Sequence, residues 1–538
     1  MSKSTTTDPL LSQSTTRPSL LLGNEAIVRG AIEAGVGFAC GYPGTPSSEI
    51  TDSFARLAPS MGIPFEYSVN EKIALEVAFA ASLSGARAIV AMKHLGLTYA
   101  GDPLTTMPYI GTVGGLVIVS AGDPSCMTSP NEQDQRHLAD MLFIPTLDPS
   151  SPQEALEMTR FAFELSEKSN LPVLLRPTTR ICHTRAAVNF GEIQPTLVPK
   201  FERNPKRFLP IPAHARQLRE DIKDRLKVAE GMIAEAGFHS RIGGGKTGVI
   251  SCGAASAICR DVVDTSEHSL LHTGCVYPLP ESWLLEQMSQ LERLLIVEEL
   301  SPFLEDAIRT LASVHSLGLK ILGKRTGHVP VTGELNAAQV SAAVKHLAQD
   351  SCQLEHSIIQ VDDVAPRPPI LCAGCPHRSA FFAVKSALGP DVLCFNDIGC
   401  YTLGAASPLA TGDALLCMGA GVSMAAGTAR TLGKPTIGFI GDSTFFHSGM
   451  PALLNAVKEN VDMTIVIMDN EVTAMTGLQE SPTIAVEKGR VNRRVSIEGV
   501  VRSLGCEQVE IVNPNDLDKT IEAFKTAHAQ RGVSVVIT

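Results

Sequence analysis

The segments TIGFIGDS (436–443) and TIVIMDNEV (464–472) decide the fold of this 538-residue chain. Each begins with a short apolar run, typical of a strand buried on both faces of a parallel sheet. Asp442 follows the first run and Asn470 follows the second. Because neighbouring parallel strands end at the same sheet edge, the pair predicts two hard oxygen ligands side by side, as an octahedral Mg²⁺ bridging a diphosphate requires. The alternative is a helix-capping Asp and a turn Asn, which any α/β domain contains.

A glycine-rich turn at 418–421 (Met-Gly-Ala-Gly) precedes this pair, after a predicted strand Ala414–Met418 and at the start of a helix of small residues. Backbone N–H groups at a helix N-terminus bind phosphate, so Gly419 and Gly421 are candidate diphosphate-binding residues. Such turns occur in many folds, and the position just before Gly441 gives this one its weight.

An acidic helix start forms the second candidate site. Asn70 is predicted to cap a helix that opens at Glu71 and runs to Gly85. The helix dipole favours an anion in the first turn, where the Glu71 side chain can leave the sheet edge. Taken alone, Glu71 would be an ordinary first-turn glutamate.

Composition excludes several classes of function. The 45 Lys and Arg residues against 56 Asp and Glu give a net charge of −11, which argues against nucleic acid or an anionic membrane as a partner. No stretch of 18 uncharged apolar residues and no signal peptide is found, so a cytoplasmic protein is expected. In a reducing compartment the 13 cysteines are expected to be metal ligands or core residues rather than a disulfide framework.

Apolar helical segments alternate with short β-rich runs along the chain, which predicts α/β architecture with three doubly wound domains. Asn24 is a candidate cap for the first helix. The predicted organisation is a disordered N-terminus (1–19), a first α/β domain (20–190), a linker and helix (191–240), a second α/β domain (241–349), a linker (350–369) and a third α/β domain (370–538).

The pairing of Asp442 with Asn470 resembles the thiamine diphosphate fingerprint, a Gly-Asp-Gly followed by an Asn, with Ser443 where the third residue is most often glycine. By that resemblance, Asp442, the Asn470 side chain and the Val472 carbonyl bind Mg²⁺. Thiamine chemistry also requires a carboxyl group that hydrogen-bonds the aminopyrimidine ring. Glu71 is the candidate for that group.

Several further segments, in order, resemble the 2-oxoacid:ferredoxin oxidoreductases, and among them the α subunits of the indolepyruvate branch. The segments are 41–49 (GYPGTPSSE), 70–76 (NEKIALE), 92–94 (MKH), 131–134 (NEQD), 372–378 (CAGCPHR), 397–401 (DIGCY) and 471–477 (EVTAMTG). The resemblance implies thiamine pyrimidine-binding (20–190), transketolase C-terminal-like (241–349) and thiamine diphosphate/Mg-binding (370–538) domains.

Carried over by position, the resemblance makes Glu71 the residue that activates the cofactor and Thr45 the one that meets the substrate carboxylate. It places Lys93 and His94 in the active cleft; their ordinary roles would be a surface lysine and a helix cap. The cofactor-binding residues that it implies are Glu71, Cys400, Gly419, Gly421, Gly441, Asp442, Ser443, Asn470, Val472 and Thr473.

Cys372 and Cys375 form a CxxC pair, and Cys400 follows. Thiolates at this spacing suit zinc or a 4Fe-4S cluster. The resemblance implies a cluster beside the thiamine, with a fourth ligand expected just beyond Thr538 and two further cysteine clusters in a C-terminal ferredoxin-like module. The alternative is three reduced cysteines near a cofactor with no cluster.

The function expected from the resemblance is oxidative decarboxylation of aryl 2-oxoacids, such as indolepyruvate and phenylpyruvate, to acyl-CoA, with electrons passed to ferredoxin or a similar acceptor. Expected partners are coenzyme A, the acceptor and a smaller β subunit carrying the gamma-type domain, in a dimer of heterodimers. A non-redox thiamine diphosphate-dependent 2-oxoacid decarboxylase is the alternative. A non-catalytic scaffold is disfavoured because Glu71, Asp442 and Asn470 are all present.

Overall fold

The structure is a computed structural model that describes residues 8–13, 17–352, 365, 368–484, 486–487, 490–491 and 493–538. It divides into two compact units, Met1–Ile358 and Ile359–Thr538. The residues predicted as the linker 350–369 lie mostly outside the described residues.

The strands of the first unit are β1 (Ser19–Leu22), β2 (Phe38–Gly41), β3 (Phe65–Tyr67), β4 (Ala88–Lys93), β5 (Leu116–Ala121), β6 (Thr146–Leu147), β7 (Val173–Leu175), β8 (Arg185–Val188), β9 (His239–Ile242), β10 (Thr247–Ser251), β11 (Ser269–Thr273), β12 (Cys275–Tyr277), β13 (Arg293–Val297) and β14 (Lys320–Leu322). Its helices are α1 (Gly23–Glu33), α2 (Ser48–Met61), α3 (Glu71–Leu83), α4 (His94–Tyr99), α5 (Gly101–Ile110), α6 (Gln135–Met141), α7 (Pro152–Ser169), α8 (Thr179–His183), α9 (Pro205–Phe208), α10 (Pro212–Glu235), α11 (Ala254–Val262), α12 (Glu281–Met288), α13 (Phe303–Val314) and α14 (Ala337–Lys345).

The first sheet has seven strands in the order β12-β6-β7-β5-β4-β2-β3, and β12 is its one antiparallel member among the described residues. Alternate residues of β5 enter opposite cores. Val117 and Val119 pack in one apolar cluster, while Leu116 and Ile118 pack in the other. Both faces are therefore buried under helices, as the continuous apolar strands predict.

The second sheet has the order β14-β13-β10-β11-β9, parallel except for β9. It is joined to the first sheet through buried charges. Arg136, fully buried at the start of α6, donates to Glu298 Oε2 at the end of β13 (2.6 Å) and to Asp134 Oδ2 (2.6 Å). The two domains predicted at 20–190 and 241–349 are thus parts of one compact unit.

The second unit contains β15 (Cys394–Phe395), β16 (Thr436–Gly441), β17 (Met463–Met468), β18 (Val472–Thr473), β19 (Gln479–Glu480), β20 (Val486–Glu487), β21 (Arg490–Val491), β22 (Gln508–Ile511) and β23 (Val533–Ile537). Its helices are α15 (Pro376–Leu388), α16 (Ala420–Leu432), α17 (Asp442–Thr444), α18 (Met450–Lys458), α19 (Ile497–Ser503) and α20 (Leu517–Ala529). The third sheet is fully parallel, in the order β15-β16-β17-β23-β22. The α/β fold class is confirmed.

Three local expectations differ from the structure. Asn24 lies inside α1, where its amide donates to the Pro46 carbonyl (2.7 Å), and Leu22 takes the cap position. The predicted strand Ala414–Met418 is reduced to one bridge between Ala414 and Phe395, because Leu416 is exposed and finds no core to enter.

Part of the N-terminus predicted to be disordered is packed against the first unit. Leu10 is buried, and its carbonyl accepts from Arg29 Nη1 (2.9 Å). Residues 1–7 and 14–16 lie outside the described residues. Across the described part of the chain, no helix has the length and apolar character needed to cross a membrane.

Candidate functional site

Glu71 lies at the start of α3, as the sequence predicts. Asn70 caps the helix through its side-chain oxygen, which accepts from Ile73 N (2.9 Å). The Glu71 side chain is buried against α4, and its neighbour there is Gly96. A Cβ at Gly96 would lie 2.4 Å from Glu71 Cγ and 2.6 Å from Oε1, so the missing side chain makes room for the carboxylate.

Lys93 ends β4, and its ammonium group lies beside the loop that follows β5. Lys93 Nζ donates to the Thr128 carbonyl (2.8 Å) and to Thr128 Oγ1 (3.2 Å). The nearest carboxylate, Asp123 Oδ2, is 3.8 Å away. Burial lowers the pKa of Lys93 to about 8, since Asp123 compensates the loss of water only in part.

His94 is fully buried at the first position of α4. Its Nε2 lies 3.2 Å from the Asn131 carbonyl, and burial lowers the pKa of His94 to about 4. His94 is therefore neutral at physiological pH and joins α4 to the loop after β5.

Thr45 belongs to the loop that follows β2. Thr128 Oγ1 donates to the Thr45 carbonyl (3.3 Å), so Thr45, Lys93 and Thr128 lie together at the carboxyl edge of the first sheet. The structure thus brings together Thr45, Lys93 and the adjacent His94, three of the four residues that the sequence predicts as catalytic. Glu71, the fourth, lies against the helix that His94 begins.

The sequence reasoning did not select Asp123. This buried carboxylate accepts from Thr128 N (2.8 Å) and Thr179 Oγ1 (3.0 Å), and also from Ser129 Oγ. These donors keep the pKa of Asp123 below its ordinary value despite burial. The sequence does contain a pattern that indicates Asp123. A Gly-Asp pair stands at the end of the buried strand β5, as Gly122-Asp123, and another stands at the end of β16, as Gly441-Asp442.

Asp442 and Asn470 lie at the carboxyl edge of the third sheet, after β16 and β17. With its amide nitrogen inward, Asn470 donates to the Val472 carbonyl (2.8 Å) and to Asp442 Oδ1 (3.3 Å). Asp442 is fully buried, and burial raises its pKa to about 6 although Ser481 donates to it.

These three groups fit a magnesium ion. If the amide oxygen of Asn470 takes the inward position, it lies 2.8 Å from the Val472 carbonyl oxygen and 3.3 Å from Asp442 Oδ1. Ligands at about 2.0–2.1 Å on adjacent corners of an octahedron lie about 2.9 Å apart. In that orientation the three oxygens could serve as ligands of one Mg²⁺ ion.

The glycine at 441 has a steric cause. A Cβ there would lie 1.3 Å from the Tyr401 hydroxyl oxygen, so only glycine fits. Tyr401 belongs to the segment 397–401, which also supplies Asp397. Ser443 Oγ lies 2.8 Å from Thr473 Oγ1, which joins two predicted cofactor-binding residues.

The glycine-rich turn 418–421 is fixed by hydrogen bonds to the Asp397 carboxylate. Gly419 N donates to Asp397 Oδ1 (2.9 Å) and Oδ2 (3.1 Å), so this amide already has a partner in the protein. Burial raises the pKa of Asp397 to about 8. Gly421 lies where α16 passes close to β16. A Cβ at this position would lie only 2.7 Å from the Phe439 carbonyl oxygen, so a side chain would clash there. Contact of either glycine with a diphosphate stays a prediction.

The three cysteines predicted as cluster ligands differ in exposure. Cys372 is exposed, while Cys375 and Cys400 are half-buried. Burial raises the pKa of Cys400, and the nearby thiols of Cys375 and Cys372 and the Asp442 carboxylate add to the rise. Among the described residues, no group of three or more His, Cys, Asp or Glu side chains is arranged to hold a metal ion.

Comparisons with known proteins agree with this architecture. Residues 29–231 match the family model of the pyruvate flavodoxin/ferredoxin oxidoreductase thiamine diphosphate-binding domain, and residues 397–538 match that of the thiamine pyrophosphate enzyme C-terminal domain.

Two curated relatives are named indolepyruvate oxidoreductase subunit IorA. That of Methanothermobacter thermautotrophicus is 41% identical in an alignment of length 532 that covers 96% of this chain and 86% of the relative. That of Thermococcus kodakarensis is 40% identical in a gapped alignment of length 550 that covers 96% of this chain and 85% of the relative.

Among solved structures, the fold is similar to 2-oxoglutarate:ferredoxin oxidoreductase from Magnetococcus marinus. The TM-score is 0.52 at 16% identity, over 62% of this chain and 66% of that one. The α/β fold, the two matched thiamine diphosphate domains and the curated relatives together define the class of protein. It is a thiamine diphosphate-dependent enzyme that oxidatively decarboxylates 2-oxoacids. The chain belongs to the family of the indolepyruvate oxidoreductase subunit IorA.

Proposed function

We propose that this chain oxidatively decarboxylates aryl 2-oxoacids, indolepyruvate and phenylpyruvate among them, to acyl-CoA, with ferredoxin or a similar protein as electron acceptor. The names of the curated relatives support the indole substrate. The observation that carries the proposal is the set of oxygens at Asp442, Asn470 and Val472, which fits the cation that a bound diphosphate requires.

In this proposal, Asp442, Asn470 and the Val472 carbonyl hold Mg²⁺ and thereby the diphosphate. Bound thiamine diphosphate supplies the electron sink that makes loss of CO₂ possible. The carboxyl group of Glu71 would donate a hydrogen bond to the aminopyrimidine ring of the cofactor. Gly96 leaves the carboxylate the room that it occupies.

A 4Fe-4S cluster held by Cys372, Cys375, Cys400 and a fourth thiolate is also part of the proposal. The position of Cys400 beside Cys375, Cys372 and Asp442 supports it. Protein purified without oxygen should contain iron and labile sulfide, and Cys375→Ser should lose both. Cys352→Ser, at a half-buried cysteine of the first unit, is the matched control and should keep them. Iron unchanged in Cys375→Ser would remove these cysteines from the cluster.

The working enzyme in this proposal is a dimer of heterodimers with a smaller β subunit, and it uses coenzyme A. The test is turnover by the assembled enzyme on indolepyruvate, phenylpyruvate, pyruvate and 2-oxoglutarate, with CoA and ferredoxin present. An aryl substrate should exceed the others at least tenfold in kcat/KM. Preference for pyruvate or 2-oxoglutarate would contradict the aryl assignment.

The alternative expected from the sequence, a non-redox decarboxylase, would use the same Glu71, Asp442 and Asn470 and need no cluster. It predicts an aldehyde product without CoA or an electron acceptor. Analysis of the product therefore separates the two functions.

A further inference from the structure

The buried cationic side chains at the carboxyl edge of the first sheet lie at different distances from their nearest carboxylate oxygens. Arg136 lies 2.6 Å from carboxylate oxygens of Asp134 and Glu298, and Arg176 lies 2.9 Å from Asp148. Lys93 lies 3.8 Å from its carboxylate, at a distance where no hydrogen bond forms.

That carboxylate is also engaged elsewhere. Asp123 accepts from Thr128 N (2.8 Å) and Thr179 Oγ1 (3.0 Å), and also from Ser129 Oγ. The ammonium group of Lys93 has three protons, and its two hydrogen bonds within the described chain both go to Thr128. One proton and most of the charge are left for another partner.

The place of Lys93 indicates what that partner is. Ligands of parallel sheets bind outside the carboxyl ends of the strands, and Lys93 ends β4. It also directly precedes α4, the helix whose Gly96 contacts Glu71. Every 2-oxoacid carries a carboxylate next to its keto group, and this carboxylate must be held near the atom that reacts.

We propose that Lys93 supplies the positive charge that binds the carboxylate of the 2-oxoacid substrate, on the side of the site where Thr45 lies. This inference rests on the proposed function for the reaction but not for the aryl group, because every 2-oxoacid carries the same carboxylate. The Lys93 side chain is 11% exposed, so the ion pair forms in a poorly hydrated place and is strong.

The ion pair acts on binding rather than on the chemical step. CO₂ leaves as a neutral molecule, so the attraction of Lys93 for the carboxylate weakens as the C–C bond breaks. Loss of Lys93 should therefore raise KM while kcat stays near its original value.

The pH dependence identifies the same group. His94 is neutral above about pH 6 because its pKa is about 4. Hydrogen bonds lower the pKa of Asp123 despite its burial, whereas partial desolvation and the nearby Glu132 and Asp123 carboxylates raise the pKa of Cys126. Lys93 is then the group facing this position that loses its charge near pH 8, and KM should rise tenfold for each pH unit above that value.

The test compares the assembled holoenzyme with its Lys93→Met and Lys93→Arg variants on phenylpyruvate, or on whichever 2-oxoacid the unaltered enzyme converts. Lys93→Met should raise KM about 10- to 100-fold with kcat within threefold, and Lys93→Arg should restore part of the difference. The rise of KM above pH 8 should vanish in Lys93→Met.

Deuterium exchange at C2 of the bound cofactor involves no substrate and should be unchanged in Lys93→Met, which shows that the variant is folded. An unchanged KM, a fall in kcat alone, or a pH-dependent rise that persists in Lys93→Met would each overturn the assignment. Failure of the unaltered enzyme to convert any 2-oxoacid would instead contradict the proposed function.

Discussion

The carboxyl edges of the first and third sheets both present an acid after a buried strand, yet they are completed in different ways. At the first, Asp123 accepts from Thr128 N (2.8 Å) and Thr179 Oγ1 (3.0 Å), so protein donors satisfy the carboxylate. At the third, the inward atom of Asn470 lies 2.8 Å from one acceptor, the Val472 carbonyl, and 3.3 Å from another, Asp442 Oδ1.

This difference indicates that protein donors complete the first edge, whereas the third edge presents the oxygens that the proposed magnesium ion would bind. Removal of divalent cations should therefore disturb the third sheet's edge and leave the first unchanged. Variants at the two edges should likewise fail in different measurements.

The largest effect is expected at the first edge from Glu71→Gln. The amide keeps the shape of the side chain but cannot donate the carboxyl proton to the aminopyrimidine, so turnover should fall about 10²- to 10⁴-fold. Binding of the cofactor, measured by calorimetry, should change little.

Glu76→Gln is the matched control, since Glu76 lies on the same helix and pairs with Lys72 at the surface. It should leave turnover unchanged. A normal rate of deuterium exchange at thiamine C2 in Glu71→Gln would show that Glu71 only starts a helix.

The next effect is expected at the third edge from Asp442→Ala, which removes the one anionic oxygen of the proposed magnesium set. The affinity for thiamine diphosphate should fall about 10- to 100-fold in calorimetry, and a chelator should do the same to the unaltered protein.

Asp469→Asn is the control at this edge, because the Asp469 carboxylate accepts from Glu471 N (3.0 Å) and is not part of the proposed magnesium set. It should bind the cofactor within a few-fold of the unaltered protein. Equal losses in the two variants would attribute the effect to the charge of the region rather than to metal ligation.

Sequence reasoning predicted the parts of these edges that depend on local pattern. Glu71 follows a capping Asn70, and Asp442 and Asn470 follow apolar runs, so their places were readable from the chain. Asp123 has the same local pattern but was missed, because its importance comes from Thr128 and Thr179, whose approach depends on the folded loop.

Contacts over long distances in the sequence were not readable. The strand Cys275–Tyr277 joins the first sheet beside Thr146–Leu147, although it comes from the second predicted domain. A three-residue edge strand has no periodicity to show its partner. Asn24 is a second example. Its side chain donates to the Pro46 carbonyl, which is distant in the sequence, and this bond overrides the local preference of Asn for a helix cap.

The smallest effect, and the sharpest test of how the first edge is built, is expected from Gly96→Ala. The added methyl would lie 2.4 to 2.8 Å from three atoms of the Glu71 side chain, so the carboxylate must move by a fraction of an ångström. Misplacement of a catalytic group on this scale should lower turnover and C2 exchange about tenfold.

Stability should not follow activity in this variant, because alanine in a helix is favoured over glycine by about 1 kcal/mol and offsets part of the steric cost. Gly101→Ala is the control, since Gly101 begins the next helix and has open space around its Cα. If Gly96→Ala exchanged the C2 proton at the unaltered rate while Glu71→Gln did not, the catalytic position of Glu71 would be set by its own helix cap and not by the neighbouring helix.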